Sequence, residues 1–259
     1  MEPTVPGGVD DESEIPTDHP RYMDLVTRYR IEEGIELGIT HIQGMHAEGR
    51  GSAFDYLLGE RTIPSANRAA RIAAAEMLEA EHPVISVNGN VAALVPEATA
   101  QLAGAVEARI EVNLFHRSEG RIERIIEHLE AHGASDVLGR EANATIPGLS
   151  HDRAKVSRDG IGTADVVLVP LEDGDRARAL RDMGKRELVI DLNPLSRSPR
   201  AAHVPIVDNV VRAMPNMTEH ARDLASSTSQ ERQTIIESFD PSVALDDAES
   251  VIRNGIDRD

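Results

Sequence analysis

The chain has 259 residues, 40% of them hydrophobic, and a formal net charge of −18. It contains no cysteine, no tryptophan and only three phenylalanines and three tyrosines, which excludes a disulfide framework, a thiolate metal site and a cysteine nucleophile and leaves an aliphatic core suited to parallel strands. No run of about 18 apolar residues and no basic-then-apolar leader is present, and the acid surplus argues against a nucleic-acid partner, so a soluble cytoplasmic protein with no membrane contact is expected.

Residues 1–18, MEPTVPGGVDDESEIPTD, predict a disordered acidic tail. From His19 a helical pattern runs through Met23, Leu25, Val26, Ile31 and Ile35 to about Gly38. Residues 41–62 are mixed, with glycines and arginines around a short apolar stretch. Ile63–Glu81 predicts an Ala-rich helix entered through Thr62–Pro64. PVISV (83–87) predicts a strand running into Asn88-Gly89-Asn90, followed by a helix over Val91–Val106. A second strand, Ile110–Phe115, ends in His116-Arg117. Ser118–His132 reads as a helix closed by Gly133, Asp136–Gly139 as a short strand and 140–160 as loop. Strand Ala164–Pro170, helix Asp173–Met183, strand Glu187–Leu192 and short strand His203–Val207 follow, and a helix from about Val210 to Ala225 ends the body. The alternation predicts an α/β fold with a mostly parallel sheet in one catalytic domain over 19–227, with 228–259 as an acidic C-terminal extension.

The charge is lopsided. Lys155 and Lys185 are the only lysines, and the two tails (1–18 and 228–259) carry 11 of the 18 excess negative charges. The tails do not account for the missing lysines. Acid excess with lysine depletion fits a halophilic cytoplasm, where the Debye length falls to about 3 Å at 1 M salt and self-repulsion is screened.

Familiar nucleotide fingerprints are absent. Gly160-Ile161-Gly162 precedes a strand instead of following one, so there is no GxGxxG turn. Gly184-Lys185 lacks the upstream glycine and the Ser or Thr of a P-loop. What remains is a set of polar strand exits, where open α/β sheets bind ligands. Asn88, Gly89 and Asn90 open a helix, so their small residues admit an anion; the alternative is an ordinary Asn-Gly turn with Asn90 as N-cap. Asn113 and Arg117 suit substrate contact or a capped strand end. Glu172, Asp173 and Asp175 suit water-mediated Mg2+ or an acidic helix start. DLNPLSRS (191–198) crowds Asp191, Asn193, Ser196, Arg197 and Ser198 around Pro194, which a bare loop does not require and an anionic small molecule does. Arg21 and Arg28 share one face of the first helix, and Arg50 sits between Gly49 and Gly51, so these arginines suit phosphate.

The strings HPRY (19–22), GRGSAFDYLLGERT (49–62), PVISVNGNVAAL (83–94), EVNLFHR (111–117), ADVVLVPLEDGDRARAL (164–180), GK (184–185), DLNPLSR (191–197) and IVDNVVRAMPNM (206–217) together resemble the archaeal phosphopantothenate synthetase family, the 4-phosphopantoate–β-alanine ligases. The resemblance covers about 19–217. It implies a homodimer with a Rossmann-like three-layer fold and its own ATP-binding mode, in coenzyme A synthesis. ATP, 4-phosphopantoate and β-alanine would give 4′-phosphopantothenate, AMP and diphosphate through an acyl-adenylate. It also implies nucleotide contacts at Arg28, Arg50, Asp191-Leu192-Asn193, Arg197-Ser198 and Asn209-Val210. In that reading Arg50 and Arg197 stabilise phosphate charge with Mg2+, and Lys185 or the 88–90 turn meets substrate anions. Ser198 stands where relatives often have Thr, Met45-His46 where Leu-Ile is usual, and Ser52 where Glu is common. Two readings compete: another nucleotide-dependent α/β enzyme such as a kinase or glycosyl transferase, and a sensor that binds ATP without turnover.

Overall fold

The computed structural model describes residues 14–171 and 174–255. The expected disordered tail falls mostly outside the described residues, as do Glu172 and Asp173 of the third polar exit.

Eleven helices and seven strands are present among the described residues, in chain order α1 (Tyr22–Glu36), α2 (Ile42–Leu58), α3 (Pro64–Glu79), β1 (Pro83–Val87), α4 (Gly89–Leu94), α5 (Pro96–Val106), β2 (Arg109–Val112), α6 (Glu119–Ala131), β3 (Ala144–Thr145), β4 (Lys155–Val156), β5 (Val166–Pro170), α7 (Gly174–Asp182), β6 (Arg186–Ile190), α8 (Arg197–Ala201), β7 (Val204–Ile206), α9 (Val210–Leu224), α10 (Ser229–Glu237) and α11 (Pro241–Asn254). The main sheet has the order β2-β1-β5-β6-β7 and every pairing in it is parallel. Strand order reverses between β1 and β5, the point where such sheets open a crevice.

Alternation along each strand splits the core into two layers. Ile85, Val87, Ile110, Leu168, Leu188 and Ile190 pack on one side against α3, α5 and α9. Val84, Val167 and Val169 pack on the other against Leu180 of α7 and against Ile146 and Val156 of the β3–β4 hairpin. The result is a three-layer α/β fold, as the alternation of elements predicts.

Several local expectations change. The helix expected over 91–106 is two helices, because Pro96 lacks the N–H that would continue the first and starts the second at its N1 position. Residues 140–160, expected as loop, contain the antiparallel hairpin β3–β4. The strand expected at 136–139 is a single bridge, Leu138 to Glu111. Residues 228–255, expected as an extension, are packed into the body. Thr228 and Glu231 form a capping box for α10. Arg232 of α10 pairs with Glu79 of α3 at 2.5 Å. Ala248 of α11 is buried with Leu58, Ile63, Leu192 and Val207.

The candidate active site

The carboxyl ends of the strands open into a cleft of about 990 Å3. Its floor is the strand exits: Asn88, Gly89 and Asn90 after β1, Phe115 and His116 after β2, Leu171 after β5, Asp191–Asn193 and Ser196–Ser198 after β6, and Asn209 and Val210 after β7. Its roof is α2, which presents Gly44, Glu48, Arg50, Gly51 and Phe54. The structure therefore gathers Arg50, Asp191, Leu192, Asn193, Arg197, Ser198, Asn209, Val210 and the 88–90 turn into one place, although they come from widely separated segments.

The roof was the least expected part. Its sequence reads as mixed, yet 42–58 is one helix, capped by the His41 side chain at the start and stopped by Gly59 in the left-handed region at φ 84°. Two of the glycines are explained by close approach. A Cβ on Gly44 would stand 2.3 Å from Asn90 Oδ1, and one on Gly51 would stand 3.3 Å from Leu192 Cδ1.

Most floor residues hold one another in shape. Asp191 accepts from the Asn193 amide at 3.0 Å and from Ser196 Oγ at 2.6 Å, and Asn193 Oδ1 accepts from the Leu195 amide at 3.0 Å. These bonds fold the exit back on itself and aim Arg197 and Ser198 into the cleft. Arg197 is 77% exposed and pairs with Asp175, itself exposed, at 3.0 Å. Arg50 is exposed and has no hydrogen bond or ion pair among the described residues. Asn88, not Asn90, caps α4: its Oδ1 accepts from the Asn90 and Val91 amides at 3.0 and 3.1 Å. Those two amides are thus occupied. Asn90 instead donates to Gly44 O at 2.9 Å and accepts from Thr40 Oγ1 at 2.5 Å, tying roof to floor.

Four expected site residues do not reach the cleft. Lys185 lies at the opposite end of β6, 6% exposed, where Nζ donates to Gly162 O at 3.0 Å and Ala164 O at 2.7 Å. Burial pulls its pKa down, partly offset by Asp165. There it satisfies two carbonyls at the far edge, away from the cleft to which the sequence reading assigns it as an anion contact. Arg117 donates to Gly139 O and Arg140 O at 2.6 and 2.9 Å. Asn113 donates to Lys155 O at 3.0 Å and to Arg153 O at 3.3 Å, pinning the β3–β4 segment. Arg28 is exposed on α1 and paired with Asp24 at 2.9 Å.

In their place the cleft holds residues that the sequence reading passed over: Glu48, Phe115, His116, Arg121 and Arg153. Arg121 is one helical turn after Arg117, a spacing that marks α6 as the carrier of a second arginine near the β2 exit. Its Nε donates to Ile39 O at 2.8 Å, and burial pulls its pKa down. Arg153 is buried at 7% exposure. Four arginines against two carboxylates, Glu48 and Asp191, make the lining cationic in a protein of charge −18. No group of three or more His, Asp or Glu side chains among the described residues is placed to hold a metal.

Fold and cleft together define a class: a parallel α/β protein with an arginine-lined cleft, of a kind suited to anionic ligands, at the reversal of strand order. Within that class the chain belongs to the phosphopantothenate/pantothenate synthetase family, whose profile matches residues 65–255. It is 52% identical over 241 residues to a 4-phosphopantoate–β-alanine ligase of Methanosarcina mazei, an alignment spanning 93% of this chain and 95% of that protein. It is 52% identical over 245 residues to the ligase of the same name from Thermococcus kodakarensis (94% of each) and 53% identical over 241 residues to that of Thermococcus onnurineus (93% and 92%).

Proposed function

We propose that the protein is an ATP-dependent ligase that joins (R)-4-phosphopantoate to β-alanine, releasing (R)-4′-phosphopantothenate, AMP and diphosphate, as a step of coenzyme A biosynthesis. The observation that carries this reading is 52% identity over nearly the full length of a ligase of that name, coinciding with a cleft built from arginines and polar strand exits. A carboxylate is a poor acyl donor. Its oxygen therefore attacks the α-phosphorus of ATP, diphosphate leaves, and the mixed anhydride is opened by the amine. No covalent enzyme nucleophile is required, so the protein's work is alignment and charge neutralisation.

In this reading Arg50 and Arg197 grip the ATP phosphates from roof and floor, their guanidinium forks matching phosphate oxygens. Asp191, Leu192, Asn193, Ser198, Asn209 and Val210 shape the nucleoside end. Arg121 and Arg153, on the β2 side, hold the phosphate of phosphopantoate, next to Asn88, Gly89 and Asn90. Mg2+ enters with the triphosphate, as is usual where a protein supplies at most one or two carboxylates. The competing kinase and sensor readings lack an equivalent observation.

The same reading carries a homodimer. Ile42, Met45 and Tyr56 stand exposed along the side of α2 away from the cleft, with Met23 of α1 and Leu37 just after it also exposed, an apolar surface that a monomer seldom leaves open. No described helix is long and apolar enough to cross a membrane. A cytoplasmic location rich in salt accords with the charge pattern.

The test is an assay of purified protein in molar KCl with Mg·ATP, 4-phosphopantoate and β-alanine. AMP must form only when both acid and amine are present. ADP formation, or equal activity with unphosphorylated pantoate, contradicts the reading.

A further inference from the structure

The arginines of the cleft leave one step unserved. β-Alanine is an ammonium near neutral pH, and its nitrogen has to lose a proton before its lone pair attacks. Glu48 lies one turn after Gly44 and one turn before Gly51 on α2, so all three share a helix face. Gly44 abuts Asn90 of the β1 exit, and Gly51 abuts Leu192 of the β6 exit. Glu48 thus stands on the cleft wall between the turn assigned to phosphopantoate and the exit assigned to the nucleotide, where the acyl–phosphate bond joins the two.

Four other buried carboxylates have evident structural work, and Glu187, also buried, is not among the residues that line the cleft. Asp55 and Asp208 hold Arg212, and Glu76 holds Arg186. Glu111 accepts from the amides of Ser157 and Ile161. Glu48 is 8% exposed, lines the cleft, and has no hydrogen bond or ion pair among the described residues.

We propose that Glu48 is the catalytic base that takes the proton from the β-alanine ammonium, an assignment that rests on the ligase reading above. The proton passes from nitrogen to a Glu48 carboxylate oxygen. The freed lone pair forms the C–N bond at the acyl carbon, and the C–O bond to AMP breaks with its electron pair leaving on the phosphate. The second N–H proton, lost as the amide forms, departs with that phosphate.

Surroundings tune the group for this task. Its pKa is pushed up to about 7, first by burial and then by Asp55 and Asp24. The charged groups that act on it are Asp55 of its own helix, itself paired with Arg212 of α9, and Asp24 of α1, itself paired with Arg21 and Arg28. α4 brings no charge, and α11 directs Asp247 to Arg68 and Glu249 to Arg200 and Arg253.

The experiment compares wild type with E48Q and E48D in three reactions: ATP–diphosphate exchange with 4-phosphopantoate alone, amide formation with β-alanine, and hydroxamate formation with hydroxylamine, an amine that is already neutral at pH 7.5. E48Q should keep exchange within about threefold, lose about a hundredfold or more of kcat with β-alanine, and approach wild type with hydroxylamine. E48D should regain part of the β-alanine activity. Wild-type kcat in E48Q, a rise in KM alone, or equal losses in all three reactions would overturn the proposal. Wild-type protein with no exchange would instead overturn the ligase reading, and the base with it.

Discussion

Asn209 Nδ2 donates to Asp55 Oδ2 at 3.0 Å, joining the first turn of α9 on the cleft floor to the roof helix that carries Glu48 and Arg50. The bond belongs to a buried network. Arg212 reaches Asp55 at 2.5 Å and Asp208 at 2.7 Å, and Thr62 Oγ1 donates to Asp208 at 2.6 Å. The roof is therefore tied to the floor by charge pairs behind the cleft as well as by the Asn90 bonds within its lining.

Asp55→Ala leaves Arg212 with Asp208 alone and takes the acceptor from Asn209 Nδ2, so unfolding free energy should fall by about 1–3 kcal/mol in urea titration, and Asn209→Ala should cost about 1 kcal/mol. A fall below about 0.5 kcal/mol for Asp55→Ala would mean the network is solvated and does not anchor the roof.

Arg197 offers the opposite case. Its side chain is exposed and contributes little to stability, so Arg197→Ala should melt within about a degree of wild type. Turnover should drop about 10²–10³-fold, with Arg197→Lys recovering only part of it because a point charge does not replace a fork. Arg50→Ala should behave in the same way. Unchanged kcat/KM for ATP in both variants would remove them from the phosphate site.

Lys185→Met separates structure from chemistry at the far edge of the sheet. Two carbonyls, Gly162 O and Ala164 O, lose their donor, and stability should fall by about 1–3 kcal/mol. Once folded, the variant should keep wild-type kcat. A selective loss of turnover at unchanged stability would return Lys185 to the active site.

These contrasts show what was readable along the chain. The strand exits were legible because a parallel sheet puts the polar residue after each apolar run on the same edge, so DLNPLSRS and Asn209-Val210 had to meet. The roof was not. Gly44, Gly49 and Gly51 depress helix propensity, and only tertiary contact with Asn90 and Leu192 shows why two of them are there. Glu48 was hidden with its helix. Arg117 drew attention because it directly follows the strand, whereas its backbone turn sends it to Gly139 O and leaves Arg121, one turn later, at the cleft. Lys185 misled for a simple reason: it precedes its strand, and residues that precede parallel strands gather at the edge away from the ligand. The C-terminal helices were obscured by acidic composition, although Thr228 and Glu231 carry a capping box in plain sight.

Glu48 also leaves a mark on stability. Its folded pKa, about 7, lies above the ordinary 4.5, so the folded state holds the proton more tightly than the unfolded chain. Below about pH 4.5 both states are protonated and Glu48 costs nothing. Between 4.5 and 7 the unfolded state ionises first, so stability falls as pH rises, and above 7 the full penalty of up to about 3 kcal/mol applies. E48Q should therefore be more stable than wild type at pH 8 and equal to it near pH 4.5. Parallel stability curves across that range would show that the carboxyl is not held in the protonated form by its surroundings.

The most direct measurement is a crystal structure of the protein with a non-hydrolysable ATP analogue and 4-phosphopantoate bound. The account predicts the triphosphate between Arg50 and Arg197, the nucleoside against residues 191–193 and 209–210, and the phosphopantoate phosphate at Arg121 and Arg153, with its carboxylate facing Glu48. Nucleotide bound at the opposite edge near Lys185, or phosphopantoate away from Arg121 and Arg153, would contradict it.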